Sequence, residues 1–263
     1  MIQSIKSVLK KTPVYTVYRK YREAEELQQL SKGILEWTQE DDHMMEFYRQ
    51  FVNPGDTVFD VGANLGNRTK VFLKLGAKVV AVEPQKRCGD FLEQTFGTNP
   101  NFRLVRKALG PKPGQAEINI CPESTVTSLS QQWIEAVKES GRFGGYQWDR
   151  KEVIQMDTLD NLIASHGSPA FMKIDVEGFE YEVLSGLSRP VKAMSLEFIP
   201  EYLENTFNCI DHVSKISPAR FQISLGESLS FHFPEWIGED QIKPRLSAVD
   251  AKAFGDLYIR TGD

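Results

Sequence analysis

Four carboxylates stand at or just beyond the ends of short apolar segments of this sequence, namely Asp60, Asp175, Glu177 and Glu197. If those segments are parallel strands of one sheet, their carboxyl ends meet at one rim, where ligands of such sheets bind. Carboxylates gathered there can remove a proton from a hydroxyl, or can hold a divalent cation that acidifies it. A structural alternative is that Asp175 or Glu177 caps the start of the helix that follows.

A glycine-bearing turn follows the first of these segments. The apolar run 57–61 leads into Gly62-Ala63-Asn64-Leu65-Gly66, a G-x-N-x-G pattern. In turns of the G-x-G-x-x-G type, bare backbone amides cradle a pyrophosphate, but here Asn64 and Asn67 take the places of the second and third glycines. The turn therefore suits a nucleoside ligand without a phosphate, such as S-adenosylmethionine.

Two acids flank this turn. Glu83 ends the next predicted strand, about 20 residues past the turn, where a nucleotide ribose is usually held. Asp60 can meet the ammonium group of the cofactor directly or through water. The structural alternatives are that Glu83 is a solvated strand end and that Asp60 binds nearby amides.

The elements that must position these residues alternate along the chain. Strands are predicted at 57–61, 77–82, 101–105, 115–121, 152–156, 170–176, 191–198, 220–225 and 256–260. Helical patterns begin near residues 67, 87, 157, 177 and 201. Strands that alternate with helices predict an α/β fold, a mostly parallel sheet with helices on both faces.

Residues 1–50 carry no strand signal and are predicted to form an N-terminal helical extension, followed by the main domain over 51–263. The sequence around 38–41 resembles a capping box, which starts a helix that ends before Pro54. Lysines among apolar residues near the start make a basic amphipathic segment, which contacts either a membrane surface or protein. We favour packing on the main domain or on a second subunit, so a homo-oligomer through the N-terminal helices stays open and no membrane contact is expected.

Composition narrows the class of protein. The 263 residues are 41% hydrophobic and 25% charged, as in soluble globular proteins. The net charge of -5 provides no basic field for nucleic acid. Three cysteines without C-x-x-C spacing argue for a reduced compartment, and no apolar run approaches the about 20 residues of a membrane span. We therefore expect a cytoplasmic protein that binds no nucleic acid.

Two loops are candidates for contact with a second substrate. The hydroxyl-rich segment 123–128 is either a polar turn or a substrate-facing loop. The segment 140–150 is a lid, a substrate wall or a mobile connector, because it spaces three aromatic residues with three glycines.

The motifs VFDVGANLGNRT at 58–69, AVEP at 81–84, TLD at 158–160 and KIDVEGFE at 173–180 resemble the FkbM-type family of S-adenosylmethionine-dependent methyltransferases. The resemblance covers about residues 50–262 and implies the class I methyltransferase fold, a Rossmann-like sheet of seven strands that ends in a reversed hairpin. It also implies methyl transfer to a hydroxyl oxygen, often of a sugar, a glycolipid or a polyketide-type small molecule. The acceptor would then be a small molecule or a glycan.

The resemblance assigns roles to individual residues. Asp60, Gly62, Asn64 and Gly66 would line the methionine part of the cofactor, Glu83 would accept the ribose hydroxyls, and Lys107 with Ala108 would border the adenine. The predicted cofactor contacts are Asp60, Gly62, Ala63, Asn64, Gly66, Asn67, Glu83, Pro84, Lys107 and Ala108. The predicted catalytic set is Asp175, Glu177 and Glu197.

Within the catalytic set, Asp175 is the first candidate for the general base and Glu177 the second. A divalent metal held by the three acids is an alternative that we do not favour, because their spacing is not diagnostic.

Two rival functions share the opening strand and turn. An NAD(P)-dependent oxidoreductase is disfavoured by the missing glycines, and a non-catalytic binding module would be expected to lose the turn or the acids.

Overall fold

The structure is a computed structural model that describes residues 32–121 and 124–262. The predicted helical extension before residue 32 lies outside these residues. One compact unit extends from Gln39 to the end of the chain, and its first helix, α1, covers Gln39–Tyr48. The sequence places the domain boundary after residue 50, whereas α1 is already part of this unit. None of the helices in the described residues combines the length and the apolar character needed to cross a membrane.

The main sheet has seven strands in the order β3-β2-β1-β7-β8-β10-β9. Its members are β1 (Thr57–Val61), β2 (Lys78–Val82), β3 (Phe102–Val105), β7 (Phe171–Ile174), β8 (Ala193–Phe198), β9 (Ala219–Leu225) and β10 (Gly255–Thr261). Strands β1, β2, β3, β7 and β8 are parallel, and β10 is antiparallel to β8 and β9. This arrangement confirms the predicted class I methyltransferase sheet with its reversed final hairpin.

Helices connect the parallel strands and cover both faces of the sheet. They are α2 (Asn67–Lys74), α3 (Lys86–Phe96), α5 (Leu159–His166), α6 (Glu180–Leu184) and α7 (Leu203–Ile216). Strand β7 is buried over its whole length, including Lys173, the one charged residue among its four. On the face covered by α1 and α2, an aromatic cluster that includes Phe47, Phe51, Phe171 and Tyr258 fills the core.

A second sheet, which the sequence did not predict, has three strands in the order β4-β6-β5. These are β4 (Ala108–Leu109), β5 (Gly114–Ile120) and β6 (Arg150–Asp157). The predicted strands at 115–121 and 152–156 therefore exist but pair antiparallel with each other, outside the main sheet. Two helices were also not indicated by the sequence pattern, α4 (Gln131–Glu139) and α8 (Glu239–Ser247).

Candidate functional site

The glycine turn after β1 packs directly against the end of β7. Gly62 and Gly66 have φ angles of +81° and +88°, in the left-handed region that favours glycine. A Cβ atom on Gly62 would lie 1.8 Å from the carbonyl oxygen of Asp175, which rules out any side chain at this position. Asn64 also has a positive φ, +48°, which asparagine tolerates better than most residues. The predicted cofactor turn is thus in backbone contact with Asp175, the first of the predicted catalytic acids.

Glu83 joins the same turn from the end of β2. Its carboxylate is buried and accepts hydrogen bonds from the backbone amide of Asn64 at 2.9 Å and from that of Gln85 at 2.7 Å. Burial raises the pKa of Glu83 to about 7, although the two amides favour the charged form. Because each carboxylate oxygen can accept more than one hydrogen bond, the group fits the two hydroxyls of a ribose.

Asp60 at the end of β1 is buried beside α2. It accepts a hydrogen bond of 2.6 Å from the hydroxyl of Thr69, a residue that the sequence did not single out. Burial raises the pKa of Asp60, while the Thr69 hydroxyl and the charge of Lys173 oppose that rise. The contact between Asp60 and a cofactor ammonium stays a prediction.

The other predicted cofactor residues surround this turn. Ala63 is buried within it, Asn67 is the exposed first residue of α2, and Pro84 is half-buried directly after Glu83. Lys107 forms an ion pair of 2.7 Å with Asp157, and Ala108 is buried in β4. The structure therefore joins the predicted adenine border to the second sheet; its contact with adenine stays a prediction.

The three predicted catalytic acids converge at the carboxyl ends of β7 and β8. One carboxylate oxygen from each of Asp175, Glu177 and Glu197 lies within 4.8 Å of the other two. We call this cluster the acid rim. Burial and then the charges of Glu197 and Asp175 raise the pKa of Glu177 well above its ordinary value. Burial and then Asp175 raise the pKa of Glu197 in the same direction.

The backbone of Glu177 is held in an unusual conformation. Its φ is +54°, and the next residue, Gly178, has a φ of +84°. The hydroxyl of Ser128 donates a hydrogen bond of 2.6 Å to the Glu177 carbonyl oxygen. A Cβ on Gly178 would lie 2.3 Å from the side chain of Trp133, so the indole packs on the bare glycine. The sequence predicted a helix from residue 177; it begins instead at Glu180, because these two residues form a turn.

Glu180 supports the same turn, and its role was missed in the sequence. Its buried carboxylate accepts hydrogen bonds from the amides of Val176 at 3.2 Å and Gly178 at 3.1 Å, on both sides of Glu177. Asn205 donates to its other oxygen at 2.7 Å. The signal in the sequence was an acid that follows a glycine by two residues, a spacing at which a carboxylate can reach the preceding amides.

The acid rim can hold either protons or a cation. Oxygen ligands such as these suit a magnesium ion, and Asp175, Glu177 and Glu197 are the residues that would supply them. Two of the three acids have raised pKa values, so a proton can also relieve their repulsion. The positions of the three carboxylates are compatible with a bound proton and with a bound cation.

The loop at 140–149 is anchored beside the site. Arg142 binds both carboxylate oxygens of Glu201, at 2.7 and 3.0 Å, and donates to the carbonyl oxygens of residues 251–253. The indole of Trp148 donates to the carbonyl of Val126 at 2.7 Å, and its ring packs edge-on against Trp133. Because Trp133 also contacts Gly178, this aromatic segment reaches the turn that carries Glu177.

Curated relatives of the chain are ribosomal RNA methyltransferases. Ribosomal RNA small subunit methyltransferase A of Dehalococcoides mccartyi is 28% identical over 127 residues, which are 48% of this chain and 44% of that protein. The protein of the same name from Novosphingobium aromaticivorans is 26% identical over 132 residues, 46% of each chain. The chain thus spans less than half the length of these relatives.

A solved structure and a family match complete the comparison. The TehB-like SAM-dependent methyltransferase from Corynebacterium glutamicum aligns over 94% of this chain and 100% of its own, with 10% identity and a TM-score of 0.46. The family described as Methyltransferase FkbM domain matches residues 60–227, more than half of the chain, and includes the glycine turn, Glu83 and the acid rim. The chain therefore belongs to the FkbM methyltransferase family, whose methyl donor is S-adenosylmethionine.

Proposed function

We propose that this methyltransferase transfers the methyl group to a hydroxyl oxygen of a small molecule or glycan. The observation that carries the proposal is the acid rim, three carboxylates within 4.8 Å of one another, of which Asp175 is in backbone contact with the cofactor turn. A hydroxyl is a poor nucleophile until it loses its proton, and a cluster of carboxylates at the site of transfer can take that proton.

S-adenosylmethionine supplies an electrophilic methyl group on a sulfonium. As the acceptor oxygen bonds to the methyl carbon and the carbon–sulfur bond breaks, a carboxylate of the rim takes the hydroxyl proton. Asp175 is the first candidate for this base because its backbone contacts the glycine turn at Gly62. Glu177 is the second, because a raised pKa makes it the stronger base once it is ionised. Holding the hydroxyl in line contributes further, because orientation alone lowers the barrier by several kcal/mol.

The acceptor is a hydroxyl-bearing ring such as a sugar, a glycolipid headgroup or a polyketide-type compound. The aromatic segment beside Gly178 supports this class, since aromatic side chains pack well against ring-shaped ligands. An RNA acceptor is the second candidate, favoured by the ribosomal RNA methyltransferases among the relatives. The net charge of -5 and the acid rim oppose it, because nucleic acid affinity depends on neutralising phosphates with lysine and arginine.

A transfer assay with a labelled methyl group tests the proposal. The full chain is incubated with labelled S-adenosylmethionine and separate pools of sugars, glycolipids, polyketides and RNA, and the products are identified as methyl ethers by mass spectrometry. We expect an ether in one of the first three pools and its loss in Asp175→Asn and Glu177→Gln. Label found only in RNA, or on nitrogen or carbon, would contradict the proposal. A Glu117→Gln variant, at an exposed ion pair on β5, serves as the control that keeps activity.

Two further proposals concern the whole chain. We place the protein in the cytoplasm, supported by its cysteine spacing and its lack of a long apolar run. Of the predicted extension over residues 1–50, α1 belongs to the compact unit, and we propose that the part before it joins two copies of the chain and does not bind a membrane. Light scattering on the full chain should give twice the monomer mass of 29.9 kDa, and vesicle flotation should leave the protein unbound.

A further inference from the structure

Lys173 lies where the cofactor turn and the acid rim meet, and the proposed reaction gives it no part. It sits in β7, and its side chain is 5% exposed. Its Nζ lies 3.0 Å from Oδ2 of Asp175 and 3.3 Å from Oδ1 of Asp256. In the sheet it pairs with Asp60 of β1 and with Ser195 of β8. The Lys173 ammonium therefore faces three carboxylates, those of Asp60 in β1, Asp175 just beyond β7 and Asp256 in β10.

Charged and titratable groups of every neighbouring element face this ammonium. They are Tyr48 of α1, Arg68 of α2, Asp60 of β1, Asp175 and Glu177 beyond β7, Glu197 of β8 and Asp256 of β10. Burial alone would favour a neutral amine, but the carboxylates of Asp175 and Asp256 outweigh burial and hold the pKa of Lys173 well above its ordinary value. Lys173 is thus a buried, fully charged group.

Asp175 needs an external constraint because it lies just past the end of β7 and its side chain is 35% exposed. Among the described residues, its carboxylate accepts one side-chain hydrogen bond, from Lys173 to Oδ2. Lys173 also pairs with Asp256, which is buried and lies opposite Glu197 in the sheet. The side chain of Asp175 is thereby linked through Lys173 to a buried residue of β10.

We propose that Lys173 is a positioning residue that fixes Asp175 toward the sulfonium of the bound cofactor, with Asp256 as its anchor. This inference rests on the placement of Asp175 beside the transferred methyl in the proposed function. The sulfonium of S-adenosylmethionine is positive, whereas S-adenosylhomocysteine lacks that charge. A carboxylate held close to the sulfur therefore strengthens binding of the methylated form selectively.

The affinity ratio of the two ligands tests this role without an acceptor. Titration calorimetry gives the Kd of S-adenosylmethionine and of S-adenosylhomocysteine for the wild type, for Asp175→Asn and for the double variant Lys173→Met with Asp256→Asn. The double variant removes one positive and one negative charge, so it keeps the net charge and relieves the unpaired buried carboxylate of Lys173→Met alone. We expect both variants to lower the preference for S-adenosylmethionine by about tenfold, as loss of one charge contact near the surface would do.

A second buried ion pair provides the matched control. Lys70 and Asp41 lie 2.7 Å apart with side chains 8% and 1% exposed, and neither belongs to the acid rim. The double variant Lys70→Met with Asp41→Asn should keep the wild-type ratio, while thermal unfolding shows that each protein is folded. A control that loses the preference would show that any buried pair has this effect, and the inference would fall.

The remaining outcomes separate the inference from the proposed function. If Asp175→Asn loses the preference but Lys173→Met with Asp256→Asn keeps it, Lys173 serves folding only and the inference is overturned. If Asp175→Asn keeps the wild-type ratio, Asp175 is not beside the sulfonium, and both the inference and that part of the proposed function are wrong. Absence of methyl ether in the transfer assay would affect the proposed function alone, because both ligands bind without an acceptor.

Discussion

The ionised carboxylate of Glu83 should strengthen cofactor binding but lower the free energy of unfolding. It is 2% exposed at the end of β2 and accepts hydrogen bonds from the amides of Asn64 and Gln85. Burial raises its pKa from 4.5 to about 7. Because the pKa of Glu83 is higher in the folded than in the unfolded protein, its protonated form stabilises the fold. This contribution to the free energy of unfolding is complete below about pH 4.5 and is lost as the pH rises through about 7. Glu83→Gln, which resembles the protonated acid, separates the two effects.

The size of the stability effect follows from this shift. The rise of the Glu83 pKa from 4.5 to about 7 corresponds to about 3 kcal/mol between the charged and the protonated protein. Glu83→Gln loses one of the two hydrogen bonds from the amides of Asn64 and Gln85 at every pH, because its amide nitrogen cannot accept one. Between pH 4.5 and about pH 8, however, its free energy of unfolding should rise relative to that of the wild type, by at most about 3 kcal/mol. Urea unfolding at several pH values measures this difference.

Cofactor affinity should respond in the opposite sense. The ionised carboxylate accepts hydrogen bonds from the ribose, and losing charged hydrogen bonds costs about 1.5–3 kcal/mol, or about 10–100-fold in Kd. For the wild type, affinity should increase with pH up to about 7, and for Glu83→Gln it should not.

Titration calorimetry across the same pH range checks the affinity. Undiminished binding by Glu83→Gln would remove Glu83 from the cofactor site, and a parallel loss of stability and affinity at high pH would refute the role of burial. Glu182→Gln is the control, because Glu182 also has a pKa raised by burial but lies in α6, outside the cofactor turn. It should leave the Kd unchanged.

Three shorter predictions concern the rim and its surroundings. Gly178→Ala should destabilise the fold by about 1–3 kcal/mol in thermal unfolding, since its Cβ would lie 2.3 Å from Trp133, whereas Gly114→Ala has open space and should be neutral. Arg142→Met should raise the KM for the acceptor and leave the Kd of S-adenosylmethionine unchanged, because it releases the loop at 140–149 from Glu201; an unchanged KM would show that this loop does not contact the acceptor. Methyl transfer should survive extensive dialysis against a chelator, and a loss that magnesium restores would make Asp175, Glu177 and Glu197 metal ligands.

Local sequence signals were sufficient to predict the strands and the helix that surround the glycine turn. The strands before Gly62 and Glu83 are short apolar runs, the helix after Gly66 has apolar residues at helical spacing, and each of the three has a clear boundary. The acid rim was predictable from one general rule, that the carboxyl ends of parallel strands share an edge. That rule brought Asp175 and Glu197 together although they are more than 20 residues apart.

The second sheet and the turn of Glu177 were not predictable in this way. The alternation at 115–121 and 152–156 indicates strands but does not say which neighbours they pair with, and pairing is set by tertiary contacts. The positive φ of Glu177 depends on Ser128 and Trp133, which come from a different part of the chain. Helix α4 did leave a signal, Ser130, whose side chain accepts a hydrogen bond from the amide of Trp133 as an N-cap.

Lys173 was the most informative residue that sequence reasoning passed over. The segment AFMKIDV is predicted to be a buried strand, and a lysine within such a strand is costly unless a carboxylate pairs with it. That requirement alone predicts an acid beside it, and the structure supplies Asp175 and Asp256.

The balance of charge at the site decides between the nucleotides that such a turn can bind. Around the ammonium of Lys173 and the guanidinium of Arg68 stand the carboxyl groups of Asp60, Asp175 and Asp256, so the acids outnumber the two cations before Glu177 and Glu197 are considered. A pyrophosphate would add two negative charges to this surplus in a partly buried cleft, where repulsion is weakly screened. S-adenosylmethionine instead contributes an ammonium and a sulfonium against one carboxylate. These acids therefore disfavour NAD(P), which agrees with the G-x-N-x-G turn and leaves the oxidoreductase alternative without electrostatic support.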